Sequence, residues 1–215
     1  MEPIRIVRIA ISFLGKILSV VTAFLIRCFW VGRINKISNI PPTPCILISN
    51  HESYLDFLLI GYALRNKAKI KFSFWAKTKV VNHLIWRIYS NIFKSIEVNG
   101  NLRKLNEISQ QAINRGESVC IFPEGKRSRN GQLQPFQKGY LRLASSIGIE
   151  VVPIFLENTY IAWPSHKLLP NFRKCNITFH PAIKISKDLT EEEISEINLT
   201  LMKKYEGFSK KSKSR

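Results

Sequence analysis

The sequence predicts an α/β protein with a largely parallel central sheet flanked by helices. After the breaker Ile40-Pro41-Pro42-Thr43-Pro44, short apolar segments alternate with segments of helical spacing, an order typical of this class. The chain has 215 residues, of which 45% are hydrophobic, enough for one domain with a sizeable core. We expect that domain at residues 40–207, preceded by a membrane-associating helical segment at 1–39 and followed by a basic tail at 208–215.

The first thirty residues are mostly apolar, but basic residues interrupt them. The longest uncharged stretch, Ile17 to Ile26, is shorter than the ~20 residues of a membrane-spanning helix, and no cleavage site of a signal peptide follows. On a helical wheel at about 100° per residue, one narrow arc holds the polar side chains Arg5, Arg8, Ser12, Lys16, Ser19 and Arg27. This pattern predicts a helix, or a helix pair broken at Gly15, in a membrane interface. A helix docked on the protein's own core is the alternative.

The remaining elements follow from periodicity and from end signals. The predicted strands are Cys45–Ser49, Lys69–Phe74, Val119–Phe122, Ile149–Leu156 and Asn176–His180. The predicted helices are Tyr54–Asn66, Val80–Phe93, Leu102–Asn114, Phe136–Ile147 and Thr190–Tyr205. Thr190 and the three glutamates after it are a favourable helix start. The end of the chain, from Ser209 to Arg215, is basic and expected to be disordered.

The charge balance indicates an anionic partner. Lys and Arg number 33 and Asp and Glu number 15, so the net charge is +18. An excess of this size fits nucleic acid, anionic lipid or a phosphorylated substrate. The four cysteines lie far apart in apolar surroundings, without zinc-ligand spacing, and are expected to be reduced core residues of a cytosol-facing body.

A histidine and an aspartate follow the first predicted strand, in Asn50-His51-Glu52-Ser53-Tyr54-Leu55-Asp56. In α/β sheets, functional sites gather where strands end and helices begin. A carboxylate on one imidazole nitrogen leaves the other nitrogen as a base, so the spacing is compatible with an acid–base pair that activates a substrate hydroxyl. The alternative is local, because Ser53-x-x-Asp56 also matches a capping box with His51 as a turn residue.

A second stretch, Phe122-Pro123-Glu124-Gly125-Lys126-Arg127-Ser128-Arg129-Asn130-Gly131, also follows a predicted buried strand. Gly125 permits close backbone approach to a ligand, and Ser128 adds a hydrogen-bond donor. Three cations lie in this stretch, and an arginine can bind phosphate in a bidentate manner. Taken alone, the stretch slightly favours a basic surface turn, and a phosphate site is the alternative.

Three motifs occur in the order seen in the glycerolipid acyltransferases, a family that this chain resembles. They are Asn50-His51-x-Ser53-x-x-Asp56, Phe122-Pro123-Glu124-Gly125-x-Arg127-Ser128 and Val152-Pro153. The chain looks most similar to the bacterial 1-acyl-sn-glycerol-3-phosphate acyltransferases, and Gly131-Gln132-Leu133-Gln134-Pro135-Phe136-Gln137-Lys138-Gly139 also looks like that branch. The resemblance covers roughly residues 40–158.

The resemblance implies a membrane-associated enzyme whose acyltransferase domain is residues 40–207. It would move a fatty acyl group from acyl-CoA or acyl carrier protein to the free hydroxyl of a lysolipid, with 1-acylglycerol-3-phosphate giving phosphatidic acid. His51 would be the general base and Asp56 the residue that orients it. The implied substrate-binding residues are Asn50, Ser53, Glu124, Gly125, Lys126, Arg127 and Ser128. No metal or cofactor is implied, and the catalytic body would face the cytoplasm at a bacterial inner membrane.

Two positions depart from the family's usual pattern. Lys126 stands where a small residue, often threonine, is usual, and Ile96-Glu97-Val98 stands where Ile-Asp-Arg usually supplies an arginine for the phosphate. Another lysolipid acceptor, such as a lyso-amino-acid lipid, therefore stays open. The remote alternative is a basic protein that binds nucleic acid or anionic membrane without catalysis. No nucleic-acid-binding signature occurs, so nucleic acid is not expected as a partner.

Overall fold

A seven-stranded sheet with helices on both faces dominates the computed structural model, which describes residues 17–18, 20–77, 94–98 and 100–213. The strands of this described part are β1 Val31–Asn35, β2 Ile46–Ser49, β3 Lys71–Lys77, β4 Lys94–Val98, β5 Glu117–Ile121, β6 Val151–Glu157 and β7 Cys175–Phe179. Its α-helices are α1 Asp56–Ala63, α2 Leu102–Asn114, α3 Gly139–Ile147, α4 Thr159–Ala162 and α5 Glu191–Lys213, and residues 20–29 are helical as well. The predicted helix Val80–Phe93 and residues 1–16 lie outside the described residues.

The strand order across the sheet is β1–β7–β6–β2–β5–β3–β4. All neighbouring strands are parallel except β6 and β7, so the predicted α/β class with a largely parallel sheet is confirmed. The neighbours β5, β2 and β6 run in one direction, and their C-terminal ends therefore lie side by side at one edge. The polar segments that follow these three strands meet at this edge, where α/β proteins commonly bind ligands.

Strand β2 is central because both of its faces are apolar, as expected for a buried parallel strand. Ile46 and Ile48 pack on one face of the sheet, in a cluster with residues of α2, α3 and α5. Leu47 packs on the other face, in a cluster that includes residues of α1 and Ile26 of the helical segment 20–29. The strand that precedes His51 is therefore enclosed on both sides.

Residues 31–35 form strand β1, so the predicted helical segment at 1–39 is wrong for these residues, whereas Ile37–Asn39 form a 3-10 helix. β1 pairs in parallel with β7, which lies far away in the sequence. Gly32 allows this close approach, since an added Cβ would lie 2.6 Å from Asn176 Oδ1 and 3.0 Å from the carbonyl oxygen of Cys175. The apolar sequence before β1 continues without a breaker, so its periodicity does not mark the change from helix to strand.

Helix α5 extends to Lys213, so the prediction of disorder from Ser209 is wrong for residues 209–213. Phe208 supplies a physical reason. Its ring stacks on His180 with 3.8 Å between the centroids and lies 5.6 Å from the ring of Phe155 in β6. The last turns of α5 are therefore anchored on the sheet, although their sequence is basic.

Three of the four cysteines are core residues, as predicted, and all four are free thiols. Burial raises the pKa of Cys45 to about 11 and that of Cys175 to about 12, and it raises the pKa of Cys120 well above its usual range. Cys28 is exposed, contrary to the prediction, because the helical segment 20–29 turns this side chain away from the core.

The hydroxyl of Tyr205, on α5, is inserted between β2 and β6. It lies 2.8 Å from the carbonyl oxygen of Ile48 and 2.9 Å from that of Ile154, and it accepts the N–H of Ile154 at 3.1 Å. Pro153, which pairs with Ile48 in this ladder, has no N–H to donate. The tyrosine therefore supplies polar contacts at the point where proline weakens the central sheet.

We expect Tyr205→Phe to lower the free energy of unfolding by about 1–3 kcal/mol, because it removes the hydroxyl that three buried backbone groups contact. Chemical denaturation would measure the change. Tyr140→Phe is the matched control, since Tyr140 is buried too but its hydroxyl donates to the side chain of Asn198 at 3.0 Å. A loss for Tyr205→Phe no greater than the control's would contradict a role in the sheet.

Candidate active site

The candidate active site lies where the C-terminal ends of β5, β2 and β6 meet. Residues 50–55 follow β2 and lead into α1, and residues 122–138 follow β5 and lead into α3. Residue 158 and α4 follow β6. The two stretches singled out in the sequence are therefore neighbours in space.

His51 and Asp56 form a hydrogen-bonded pair, with 2.8 Å between His51 Nδ1 and Asp56 Oδ2. The same Oδ2 accepts the backbone N–H of Glu52 at 2.7 Å and that of Ser53 at 2.8 Å. The bond from Ser53 is the one that a capping box uses at the start of a helix. The reciprocal bond of a capping box is not formed, because Ser53 Oγ accepts the N–H of Leu55 at 3.0 Å and α1 begins at Asp56 without a side-chain cap. Asp56 Oδ2 therefore orients His51 and holds the turn before α1.

The contacts of Asp56 define the tautomer of His51. Since Oδ2 already accepts two backbone N–H groups, it acts as an acceptor, and Nδ1 of His51 carries the hydrogen. Nε2 is then the acceptor of the ring and can take a proton. The imidazole lies against Phe122, with 4.0 Å between the ring centroids and 16° between the planes, and 18% of the His51 side chain is exposed.

The loop after β5 holds the backbone of His51 on both sides. The N–H of His51 donates to Glu124 Oε1 at 2.7 Å, and the carbonyl oxygen of His51 accepts the N–H of Ser128 at 2.8 Å. The second oxygen of Glu124 accepts the N–H of Gln134 at 2.8 Å. Glu124 thus joins three segments of chain around the histidine.

Glu124 is a buried acid whose burial raises its pKa to about 8. The hydrogen bonds from Gln134 and His51 act in the opposite direction, because they stabilise the ionised form. The nearby charges of Glu52 and Asp56 raise the pKa further. The predicted role of Glu124 in substrate binding stays a prediction, but in this structure its oxygens bind the protein's own backbone.

Asn50 and Ser53 are fully buried and also bind backbone groups. The amide of Asn50 accepts the N–H of Leu156 at 2.9 Å and donates to its carbonyl oxygen at 3.0 Å, which extends the pairing of β2 with β6. Ser53 Oγ donates to the carbonyl oxygen of Trp163 at 2.6 Å. Their predicted contact with substrate is untested, and these bonds give both residues a positioning role.

Gly125 and Ser128 shape the loop that carries the predicted phosphate site. Gly125 has φ +68°, and an added Cβ would lie 2.9 Å from Gln137 Nε2, so this position requires glycine. Ser128 is buried, and its Oγ donates to Asn130 Oδ1 at 3.1 Å. The loop is therefore a built turn rather than an irregular surface segment.

The cations of this loop differ in their surroundings. The Cζ atom of Arg127 lies 3.8 Å from the centroid of the Tyr54 ring, a cation–π contact, whereas Lys126 is exposed. Among the described residues, no carboxylate forms an ion pair with either of them. Both charges are therefore available to an anionic ligand.

The aromatic residues of the site have a structural role that the motifs did not predict. Phe122 supports the imidazole and lies 6.2 Å from Phe74 in a stacked arrangement, and Tyr54 supports Arg127. Tyr54 and Phe122 lie inside the two motifs, and this position in the sequence could have indicated their role. Trp163, which follows α4, lies 5.4 Å from Tyr54 and had no signal in the sequence.

The Acyltransferase family model matches residues 32–157, and the chain therefore belongs to the Acyltransferase family. A 1-acyl-sn-glycerol-3-phosphate acyltransferase of Cocos nucifera is 30% identical over 162 residues, which cover 71% of this chain and 50% of the relative. A probable 1-acyl-sn-glycerol-3-phosphate acyltransferase of Mycoplasma pneumoniae is 29% identical over 120 residues, or 54% of this chain and 45% of the relative. This chain thus spans about half the length of these curated relatives.

The fold is also that of a solved structure. The 1-acyl-sn-glycerophosphate acyltransferase PlsC of Thermotoga maritima matches with a TM-score of 0.69 and 21% sequence identity, covering 96% of this chain and 79% of the other. At this identity the match demonstrates the fold alone. The resemblance inferred from the three motifs is confirmed by the family match and by these relatives.

The burial of Glu124 predicts a pH-dependent contribution to stability. Its folded-state pKa of about 8 lies above the value of 4.5 expected in the unfolded chain, so between these values the folded state holds a proton that the unfolded state has lost. The contribution of protonated Glu124 to the free energy of unfolding is complete below pH 4.5. It is lost as the pH rises to about 8, and the free energy of unfolding then falls by at most about 1.4 kcal/mol per pH unit.

Glu124→Gln removes this titration, so we expect the stability of the wild type relative to the variant to fall between pH 5 and pH 8. Chemical denaturation of both proteins at a series of pH values would measure the difference. Glu196→Gln, at an exposed position of α5, is the matched control. A difference between wild type and Glu124→Gln that does not change with pH would contradict the prediction.

Proposed function

We propose that this chain is a membrane-associated O-acyltransferase that transfers a fatty acyl group from acyl-CoA or acyl carrier protein to the free hydroxyl of a lysolipid. The proposed acceptor is 1-acylglycerol-3-phosphate, and the product is phosphatidic acid. The observation that carries the proposal is the hydrogen bond of 2.8 Å between His51 Nδ1 and Asp56 Oδ2, beside the loop that holds Lys126 and Arg127. The names of the relatives support the same acceptor.

In the proposed reaction, His51 Nε2 takes the proton of the acceptor hydroxyl while the hydroxyl oxygen attacks the thioester carbonyl carbon. Asp56 stabilises the ring when it carries both protons, because Oδ2 is already aligned on Nδ1. The carbon–sulfur bond then breaks as the new ester forms. The departing thiolate takes back the proton from Nε2, which restores the neutral imidazole.

Arg127 is the proposed main contact for the acceptor's phosphate. Its guanidinium lies over the ring of Tyr54, so its plane is held while its N–H edges can still reach an anion. Two parallel N–H groups match two phosphate oxygens, which favours a bidentate contact. Lys126 is a flexible point charge and is proposed as a secondary contact.

The second departure from the family pattern lies on an edge strand of the sheet. Ile96-Glu97-Val98 belongs to the edge strand β4, which is separated from β5 by β3. Val98 stands where the family usually has an arginine, so this position offers no cation to a phosphate. This observation favours the second candidate, an acceptor lysolipid with a different head group, such as a lyso-amino-acid lipid.

Membrane association belongs to the proposal as well. Among the described residues, no helix has both the length and the apolar character needed to cross a membrane. The helical segment 20–29 exposes Val20, Val21, Phe24, Leu25 and Phe29, which supports an interfacial position. We place the catalytic body on the cytoplasmic side of a bacterial inner membrane, where acyl-CoA or acyl carrier protein is the donor.

His51→Ala should lower acyl transfer by about 10²–10⁴-fold, because it removes the general base. The measurement is turnover with 1-acylglycerol-3-phosphate and a thioester donor. His180→Gln is the matched control, since His180 follows β7, which is antiparallel to β6, and therefore lies at the opposite edge of the sheet. Retention of more than about a tenth of the activity by His51→Ala would exclude this role.

Asp56→Asn separates the two tasks of the carboxylate. An amide oxygen can still accept the N–H groups of Glu52 and Ser53, but it carries no charge to stabilise a protonated His51. We expect turnover to fall by about tenfold or more while the fold is retained. If Asp56 serves only the turn before α1, the reverse is expected: activity stays intact and the free energy of unfolding falls by about 0.5–2 kcal/mol.

Arg127→Lys should raise the apparent KM for the acceptor far more than that for the acyl donor, because lysine retains the charge but lacks the planar fork. Arg129→Lys is the matched control, because it is the same exchange at an exposed position two residues away. Lys126→Thr should raise the apparent KM for the acceptor less than Arg127→Lys does. The measurement is steady-state kinetics with 1-acylglycerol-3-phosphate and with an analogue that lacks the phosphate.

Two outcomes would contradict the phosphate site. In one, the wild type acylates both acceptors equally well. In the other, Arg127→Lys does not change the apparent KM for the acceptor. If transfer to a lysolipid with another head group is faster, the second candidate acceptor replaces the first. In that case the roles of His51 and Asp56 are unchanged.

A further inference from the structure

The loop after α4 exposes three large apolar side chains. Leu168 is 88% exposed, Leu169 74% and Phe172 75%. Basic residues lie on both sides of them, in Lys167-Leu168-Leu169-Pro170-Asn171-Phe172-Arg173-Lys174. A leucine pair and a phenylalanine left this open to water indicate an interaction surface.

This loop and the helical segment 20–29 form one surface, which we name the loop–helix surface and define as residues 20–29 and 167–174. The ring centroids of Phe172 and Phe29 lie 5.0 Å apart. Trp30 Nε1 donates to the carbonyl oxygen of Asn171 at 2.9 Å, and Lys174 Nζ donates to that of Cys28 at 2.5 Å. These contacts hold the apolar side chains of the two segments next to each other.

The charged residues of the two segments have one sign. The sequence contains no Asp or Glu from residue 158 to residue 187, and none from residue 3 to residue 51. Arg27, Lys167, Arg173 and Lys174 are exposed in the two segments. Apolar side chains in segments whose only charges are basic match an anionic bilayer, whose surface attracts the cations and whose interface accepts the apolar groups.

We propose that residues 167–174 are a second membrane contact, which inserts Leu168, Leu169 and Phe172 into the interface of an anionic bilayer beside the helical segment 20–29. This inference rests on the proposed function, because it states how the catalytic body meets the membrane that holds its acceptor. It adds to the N-terminal segment a contact made by the catalytic domain itself.

The second contact is connected to the candidate active site. Trp163, five residues before Leu168, accepts the hydroxyl of Ser53 at 2.6 Å and the N–H of Tyr54 at 3.4 Å through its carbonyl oxygen. Tyr54 in turn supports Arg127. A bilayer bound at residues 167–174 therefore lies on the side of the protein that carries the turn with His51, so an acceptor can enter from the lipid.

The triple variant Leu168→Gln/Leu169→Gln/Phe172→Gln in the full chain tests the contact. We expect its partition onto vesicles of phosphatidylcholine and phosphatidylglycerol to fall by about tenfold or more, since each side chain loses its transfer into the interface. Leu199→Gln is the matched control, because Leu199 is a 50% exposed leucine on α5. Equal binding by wild type and triple variant would overturn the proposal, and circular dichroism would verify that the variant folds.

A fluorescence measurement separates this inference from the proposed function, because it needs no acyl transfer. A nitrobenzoxadiazole label is placed at Leu168→Cys in a Cys28→Ser background, where the three remaining cysteines are buried. We expect a blue shift on anionic vesicles that exceeds the shift on phosphatidylcholine alone and weakens with salt. The label at Leu199→Cys should not shift. No shift at residue 168, or equal shifts at the two positions, would overturn the membrane contact, whether or not the chain proves to be an acyltransferase.

Discussion

One oxygen of Asp56 holds the turn between β2 and α1, and the candidate active site depends on it. Asp56 Oδ2 accepts the ring N–H of His51 and the backbone N–H groups of Glu52 and Ser53 at 2.7–2.8 Å. The backbone bonds define the path of the chain, and the ring bond defines the orientation of the imidazole. One carboxylate at the start of α1 therefore holds the turn and supports the chemistry that we propose.

The second strand of the site, β5, completes this arrangement from the other side. Glu124 binds the N–H of His51, and Ser128 binds its carbonyl oxygen, so the histidine is held through its backbone as well as its ring. Burial of Glu124 raises its pKa to about 8, which means that this connection costs stability at higher pH. The same loop presents Arg127, so the proposed base and the proposed phosphate contact belong to one hydrogen-bonded unit.

Much of the fold could be predicted from local pattern, and two of the errors share one physical cause. The bounds of α2 match the prediction, and β2, β3, β5, β6 and β7 lie within a few residues of their predicted positions. The sequence analysis missed β1, β4, α4 and the end of α5. The partners of β1 and of the end of α5 are distant in the sequence. Gly32 is needed for the approach of β7, and Phe208 continues its helix because it stacks on His180. Pairing and packing of this kind leave no local signal in the sequence.

The sequence by itself determined which residues are proposed to carry the chemistry, because the family motifs place His51, Asp56 and Arg127 after buried strands and a parallel sheet brings strand ends together. It could not decide between a cap and an acid–base pair, since both use the same spacing. Only the tertiary structure demonstrated that the capping box is not formed, that one oxygen binds both the turn and the imidazole, and that Glu124 binds backbone. It alone also brought residues 167–174 beside the helical segment 20–29, because that contact depends on β1 and β7 lying side by side.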